Sequence, residues 1–360
     1  MNLRILLAHP GASWSTADVW AGLSYGLKYH KVDLVHFRLD ERIALESKHL
    51  YARWRQQKKS RPDLEKPSHG DVLYQASVGA LEMALRHKVH VVFVVSAMFM
   101  HPAVIAMMKQ AGLKVVVLFT ESPYDLEAEL KIAAMVDGCW TNERASVPAF
   151  KAVNPNSGYL PHGWHPERHA IAGPVPDTVP AHDVVFVGSG FAERIDWFNS
   201  IDWTGIDVGL YGTWKGLGLK KQLTGCVRGA QIGNEYAAEL YRNAKIGLNL
   251  YRGYSRSREG RRTAVYGESL SPRAYELAAV GAFHLSDYRK EVPEVFGELV
   301  PTFRTPTEAA ALIRLWLADD AGRMRVAAQL PACVAVASWE RRAATVLGDL
   351  ARLAQTPAAA

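Results

Sequence analysis

The stretch Gly267-Glu268-Ser269-Leu270-Ser271-Pro272-Arg273-Ala274-Tyr275-Glu276-Leu277-Ala278-Ala279-Val280-Gly281 decides how the rest of the chain is read. Ser271-Pro272 predicts a helix start: a hydroxyl can accept from the exposed amides, and proline takes the first helical position, where its missing N–H costs nothing. Gly281 predicts the stop. Such an opening leaves the backbone N–H groups at Leu270 to Arg273, and the positive end of a helix dipole, facing out of a loop, which suits a diphosphate. Glu268 lies before the helix and Glu276 about one turn inside it, so both carboxylates can border one pocket from different depths. Each offers two acceptor oxygens, which match the paired hydroxyls of a ribose or a hexose. The plainer alternative for either is a solvated helix charge.

Upstream, the apolar strand Ile246 to Tyr251 follows a helix over Tyr236 to Lys245, and the loop Arg252 to Val265 carries Arg252, Arg256, Arg258, Arg261 and Arg262. These arginines form a positive lip before the two glutamates, placed for donor phosphates or an anionic acceptor. The pattern of strand, glycine loop and helix begins at Asp183-Val184-Val185-Phe186-Val187-Gly188-Ser189-Gly190, with Arg194 in the first helical turn. A cation there opposes the helix dipole and points to a nearby anion, or else to a surface ion pair with Glu193 or Asp196. After the strand Ile206 to Tyr211, the turn Gly212 to Gly218 with Lys215 can cover a base or a phosphate.

The first half repeats the pattern. The strand at Met1 to Ala8 ends in His9-Pro10-Gly11 and leads through Trp14 and Ser15 into a helix with Trp20, Leu23 and Leu27 on one face. Because this start runs directly into a turn, it reads as a first strand and not as a signal peptide. Asp18 and His9 are the residues of this loop that could act on an acceptor; Asp18 also fits a reciprocal cap with Ser15, and His9 a satisfied strand-end histidine. Val-rich runs at Val89 to Val95 and Lys114 to Phe119 alternate with helices, as in a parallel sheet covered on both faces. The second of these opens into Thr120-Glu121-Ser122-Pro123-Tyr124, a polar turn at a strand's carboxyl end, where such sheets keep their sites. Between Asp40 and Gly70 the chain is polar. Its segment Lys48 to Arg61 mixes cations with Tyr51 and Trp54, a combination able to grip phosphates and stack bases, although a solvated helix or mobile loop is the simpler reading.

Four prolines between Pro166 and Pro180 mark a linker over 166–182, between a domain over 1–165 and one over 183–337, with 338–360 as a closing helix and tail. Apolar residues make up 49% and charged residues 22%, the balance of a soluble globular chain, and no apolar run approaches the ~20 residues of a membrane span. Cys139, Cys226 and Cys333 lie far apart, which excludes a disulfide framework or a cysteine zinc site and implies the cytoplasm. The net charge of +6 favours an anionic partner.

The second half resembles the GT-B glycosyltransferases grouped with the CgeB-like proteins. The resemblance rests on Asp183 to Ser189 with Arg194, on Ala244-Lys245-Ile246-Gly247-Leu248-Asn249 and on Arg273 to Phe283. The first half, through Pro10-Gly11, Ser15, Asp18-Val19 and Glu121-Ser122-Pro123-Tyr124, is similar to glycosyltransferases of actinobacteriophages. The resemblance implies an α/β GT-B fold: two Rossmann-like domains with parallel sheets facing a central cleft, the donor on the second, the acceptor on the first, and a final helix crossing back. It implies a nucleotide-sugar donor, a UDP-sugar at family level, with no cofactor and no metal. Glu276 then becomes the ribose ligand and Glu268 a contact of the transferred sugar. Arg194, Ser189, Gly190, Lys215, Leu270, Ser271 and Arg273 surround the diphosphate, while Ser15, Trp14, Glu121 and Tyr124 face the acceptor. In retaining relatives a lysine follows the arginine closely; here the nearest is Lys215, in a different loop. The two glutamates favour retention, in which Asp18 or His9 only orients the acceptor; inversion would require one of them to take a proton. The expected activity is transfer to a hydroxyl of a macromolecule, preferably a protein such as a virion protein. Hydroxymethylated pyrimidines in DNA are the alternative acceptor, and non-catalytic sugar-nucleotide binding the second alternative. The expected location is the cytoplasm, the host's if the chain is phage-encoded, with no membrane insertion.

Overall fold

The computed structural model describes residues 3–11, 16–214, 218–230, 232–256 and 262–355. Trp14, Ser15 and Lys215, expected at the site, lie outside the described residues, as do Arg258 and Arg261 of the arginine lip. The chain divides into two compact units, Met1–Pro161 with Arg342–Ala360, and His162–Arg341.

The first unit holds strands β1 (Arg4–His9), β2 (Asp33–Arg38), β3 (Val91–Val95), β4 (Lys114–Phe119), β5 (Gly138–Thr141) and β6 (Ser157–Tyr159). They form one sheet in the order β2-β1-β3-β4-β5-β6, every neighbouring pair parallel. Ile5, Leu6, Leu7 and Ala8 of β1 and Val92, Phe93, Val94 and Val95 of β3 have no exposed surface, as continuous apolar strands require when helices cover both faces. The final helix, Trp339–Gln355, joins this unit from Arg342 onward. There the Trp140 indole donates to Asp349 Oδ2 at 2.7 Å, and a side chain in place of Gly138 would meet Leu353. The polar stretch after Asp40 is a helix, Leu39–Lys58. The Trp54 indole and the Lys58 ammonium both donate to the Leu64 carbonyl, at 3.2 and 2.9 Å, and Lys66 sits over the Tyr51 ring.

The second unit contains β7 (Val184–Val187), β8 (Val208–Tyr211), β9 (Val227–Gly229), β10 (Ile246–Asn249), the small hairpin β11 (Tyr254–Arg256) and β12 (Arg262–Ala264), β13 (His284–Asp287) and β14 (Thr302–Phe303). Its main sheet runs β14-β13-β10-β7-β8-β9, again all parallel. Alternate residues of β7 enter opposite cores: Val184 and Phe186 pack with Phe198 and Trp214, and Val185 with Leu240 and Leu277. The proline-rich segment expected as a linker belongs to this unit. Pro166–His169 is a short helix, Val179 is buried, and the Val179 carbonyl accepts from Asn243 at 2.7 Å, so apolar anchors fold the segment down despite its prolines. All three cysteines are free thiols, and no helix among the described residues is long and apolar enough to cross a membrane.

Candidate functional site

Strand order locates a crevice in each sheet. In the second unit the chain winds from β7 through β8 to β9, then returns to place β10 on the other side of β7. Connections diverge between β7 and β10, and a doubly wound sheet opens at the carboxyl ends of such a strand pair. In the first unit the same reversal falls between β1 and β3.

The β7/β10 crevice is built around the decisive helix, which spans Pro272–Ala279 and stops at Gly281 with φ of 68°. Ser271 is its N-cap residue, but the hydroxyl does not cap: it donates to Asn249 Oδ1 at 2.9 Å, drawn off by a strand-end amide whose own Nδ2 donates to Ser286 Oγ at 3.1 Å. The Leu270 amide, expected to face a diphosphate, is taken by the Glu291 carboxylate at 2.8 Å. The amides of Ser271 and Arg273 remain at the opening, since Pro272 has none.

Arg273 reaches back across the helix start. Its Nε donates to the Val187 carbonyl at 2.8 Å, its Nη1 lies 3.4 Å from Asn249 Oδ1 and from the Leu250 carbonyl, and its guanidinium covers the Phe186 ring. Gly188 permits this, because a Cβ there would come within 2.6 Å of Arg273 Nη2. Arg194 occupies the first turn of the helix Ala192–Asn199, nearly buried, and donates to the Ser189 carbonyl at 2.9 Å and the Leu250 carbonyl at 2.8 Å. Its two terminal nitrogens bridge the loops that follow β7 and β10, with Phe186 and Phe191 against the guanidinium. Gly190 lies under the Trp214 ring, too close for any side chain.

Glu276 is buried inside this opening and accepts from Asn234 Nδ2 at 3.3 Å. Burial pushes its carboxyl above the usual range, while the Asn234 hydrogen bond and the charges of Arg273 and Arg168 oppose the shift. Glu268 is half-buried before the helix, its carboxylate 3.6 Å from Lys290 Nζ and its carbonyl accepting from the Glu291 amide. Asp287 ends β13, accepts the Tyr251 amide on both oxygens at 3.0 and 3.2 Å, and is pushed up by burial to about 7 against the pull of Arg289, Arg194 and Arg273. Asn234, Asn249, Asp287 and Glu291 escape sequence reasoning, although polar residues closing the buried strands β10 and β13 are a usable signal.

At the β1/β3 crevice His9 ends β1 with 1% of its surface exposed, its ring stacked on Trp20 at 3.8 Å. Neither ring nitrogen has a hydrogen-bond partner among the described residues. Burial lowers its pKa to about 4, so the imidazole is neutral at physiological pH. Asp18 is half-buried in the first turn of the helix Ala17–Tyr29; the N-cap residue is Thr16, and its side chain makes no capping bond. After β3, Ser96 is buried at φ of 50°, a strained backbone for a residue with a side chain and one found at functional sites. Glu121 and Tyr124 form the turn after β4, half-buried, and Glu129 organises it from beneath. The Glu129 carboxyl accepts the Glu121 amide at 2.9 Å, is hydrogen-bonded to the Ser122 hydroxyl, and is raised by burial to about 8.

Residues 194–348 match a protein family described as glycosyl transferase-like. No curated protein matches the chain. Among solved structures, a sucrose-phosphate synthase from Thermosynechococcus elongatus is similar over 98% of this chain and 98% of its own, at a TM-score of 0.62 and 14% identity. A trehalose-6-phosphate protein from E. coli, described as bound with UDP-2-fluoro glucose, covers 98% and 99% at 0.62 and 10%. An alpha,alpha-trehalose 6-phosphate synthase from Burkholderia multivorans covers 98% and 99% at 0.60 and 12%. The architecture is that of the GT-B fold, and the glycosyl transferase-like match over residues 194–348 falls mostly in the second unit.

Proposed function

We propose that this GT-B glycosyltransferase takes a sugar from a nucleoside diphosphate, a UDP-sugar by preference, and passes it to an acceptor hydroxyl with retention of configuration. The observation that carries the reading is the helix Pro272–Ala279, opening beside β10 with Glu276 buried within it and Glu268 before it. Glu276 accepts the ribose hydroxyls and Glu268 a hydroxyl of the transferred sugar. The amides of Ser271 and Arg273, the Ser189–Gly190 loop and the guanidinium charges of Arg194 and Arg273 face the diphosphate, whose negative charge grows as the sugar–phosphate bond breaks. Because these groups supply the positive charge, no metal is required. In retention the departing phosphate is itself close to the incoming hydroxyl, so the first unit needs to orient an acceptor more than to deprotonate it. Neutral His9, with Asp18, Glu121 and Tyr124, supports that orienting role.

For the acceptor, a protein hydroxyl is preferred to DNA. The aromatic residues of the basic helix are held in internal contacts: Trp54 on Leu64 and Tyr51 under Lys66. Arg53, Arg55 and Lys59 remain exposed, which suits an acidic polypeptide better than stacked bases. A small sugar phosphate is the second reading, favoured by the full-length likeness to trehalose- and sucrose-phosphate synthases. The phage-type resemblance of the sequence favours the first.

The donor reading is tested by thermal shift with UDP, GDP, ADP, TDP and CMP and their sugars. A nucleotide at 100 times its dissociation constant stabilises by about 2.7 kcal/mol. The expected result is a rise in Tm with UDP or one other diphosphate; no response to any of them removes the donor site.

A further inference from the structure

A cavity of about 440 Å³ opens on the second unit beside the edge strand β9, between the sheet and the helix Asn234–Asn243. It is lined by His182, Asp207, Tyr211, Arg228, Ile232 and Tyr236 among others. Its lining runs along the sheet, from His182 and Asp207 just before β7 and β8 to Tyr211 at the end of β8 and Tyr236 in the first turn of the helix Asn234–Asn243. None of its lining residues belongs to the helix Pro272–Ala279 or to the loops after β7 and β10 that form the donor crevice.

Its polar groups form an ordered chain. His182 Nδ1 lies 2.7 Å from Asp207 Oδ2, and its Nε2 lies 3.0 Å from the Tyr211 hydroxyl. The imidazole can lie flat over β8 only because position 209 is glycine; a Cβ there would come within 2.5 Å of the ring. With Asp207 Oδ2 accepting from Nδ1–H, the Nε2 of a neutral imidazole is left as an acceptor, and the Tyr211 hydroxyl donates to it. The lone pairs of the Tyr211 oxygen are left for the cavity. Asp207 Oδ1 is a second acceptor, with Arg228 Nη2 at 4.0 Å as the neighbouring donor, and about half of each of these two side chains is exposed. Tyr236, 38% exposed, adds a ring face at the rim, 6.5 Å from the Tyr211 ring and perpendicular to it.

This pattern selects a ligand class. A phosphate offers only acceptors and would sit against two more acceptors, one of them charged, while the single guanidinium is already beside a carboxylate. A hydroxyl both donates and accepts, so a neutral polyol satisfies Tyr211, Asp207 and Arg228 together, and the C–H face of a sugar ring packs on Tyr236. We infer that this cavity is a second carbohydrate site, which binds a neutral saccharide unit apart from the nucleotide-sugar donor.

The test is saturation-transfer NMR on the full chain with methyl α-glucoside, methyl α-mannoside, N-acetylglucosamine and maltose, beside glucose 6-phosphate and uridine. At least one neutral saccharide is expected to show transfer, equally in Glu276→Ala, so the outcome does not depend on the donor assignment. Its affinity should fall at least ten-fold in Tyr236→Ala and in Arg228→Ala, two exposed positions, with circular dichroism unchanged. Transfer to none of the neutral saccharides, transfer to glucose 6-phosphate or uridine alone, or saccharide binding unaffected by both substitutions would each overturn the assignment.

Discussion

Glu276 gives the sharpest expectation, because its carboxylate is buried with a single neutral donor, Asn234 Nδ2 at 3.3 Å, among the described residues. A buried acceptor so lightly satisfied is costly to the empty protein, which is why burial raises its pKa. If two ribose hydroxyls complete its bonding, Glu276→Ala removes charge-assisted hydrogen bonds worth about 1.5 to 3 kcal/mol, weakening the nucleotide by roughly 10- to 150-fold. The empty protein should lose little stability, since the deletion also removes a buried, poorly compensated carboxyl. Isothermal titration of the preferred nucleoside diphosphate into wild type and Glu276→Ala measures the ratio, and denaturant melts check the fold. The sign of the pH effect follows too: ionised Glu276 is the better acceptor, so nucleotide affinity should rise as pH rises through its elevated pKa. Equal affinities in the two proteins would refute the ribose assignment.

Glu129 is held protonated up to about pH 8 in the fold and ionises near 4.5 once unfolded, so its contribution is fully present below about 4.5 and lost as pH rises to 8. Glu129→Gln keeps an acceptor for the Glu121 amide and should flatten stability across that window; equal pH slopes in urea melts would contradict it. His9 titrates the other way: with its pKa lowered to about 4, the neutral ring's contribution is present above 6.5 and lost as pH falls toward 4. The His9 ring resonances should therefore stay those of neutral imidazole at pH 5.5, and a midpoint near 6.5 would show that the stacking on Trp20 does not bury it.

The sheets were legible because their central strands are uninterrupted Val, Leu and Ile runs whose burial follows from composition alone, as at Val91–Val95 and Lys114–Phe119. The edge strands Val227–Gly229 and Thr302–Phe303 are two or three residues long and carry no such run. At the site, the Ser-Pro start and Gly stop located the helix Pro272–Ala279, since capping is a local property. Hydrogen-bond partners are not local. Leu250 takes the Arg194 guanidinium from 56 residues away, Asn249 intercepts the Ser271 hydroxyl from 22, and Glu291 claims the Leu270 amide from 21. The sequence shows a cation and a cap where the fold shows a brace and a strand-end network. Ser96 is hidden for another reason: nothing in a serine marks a positive φ.

Transfer itself is the most direct test. Purified protein is incubated with the radiolabelled sugar nucleotide that gives the largest thermal shift, beside virion or other acidic protein, a panel of sugar phosphates, and hydroxymethylated and unmodified DNA. Release of the nucleoside diphosphate should be matched by label in one acceptor, undiminished by EDTA, with the anomeric configuration of the donor kept in the product and turnover lost in Glu268→Ala. Nucleotide binding without release of diphosphate to any of these acceptors, or a product of inverted configuration, would contradict it.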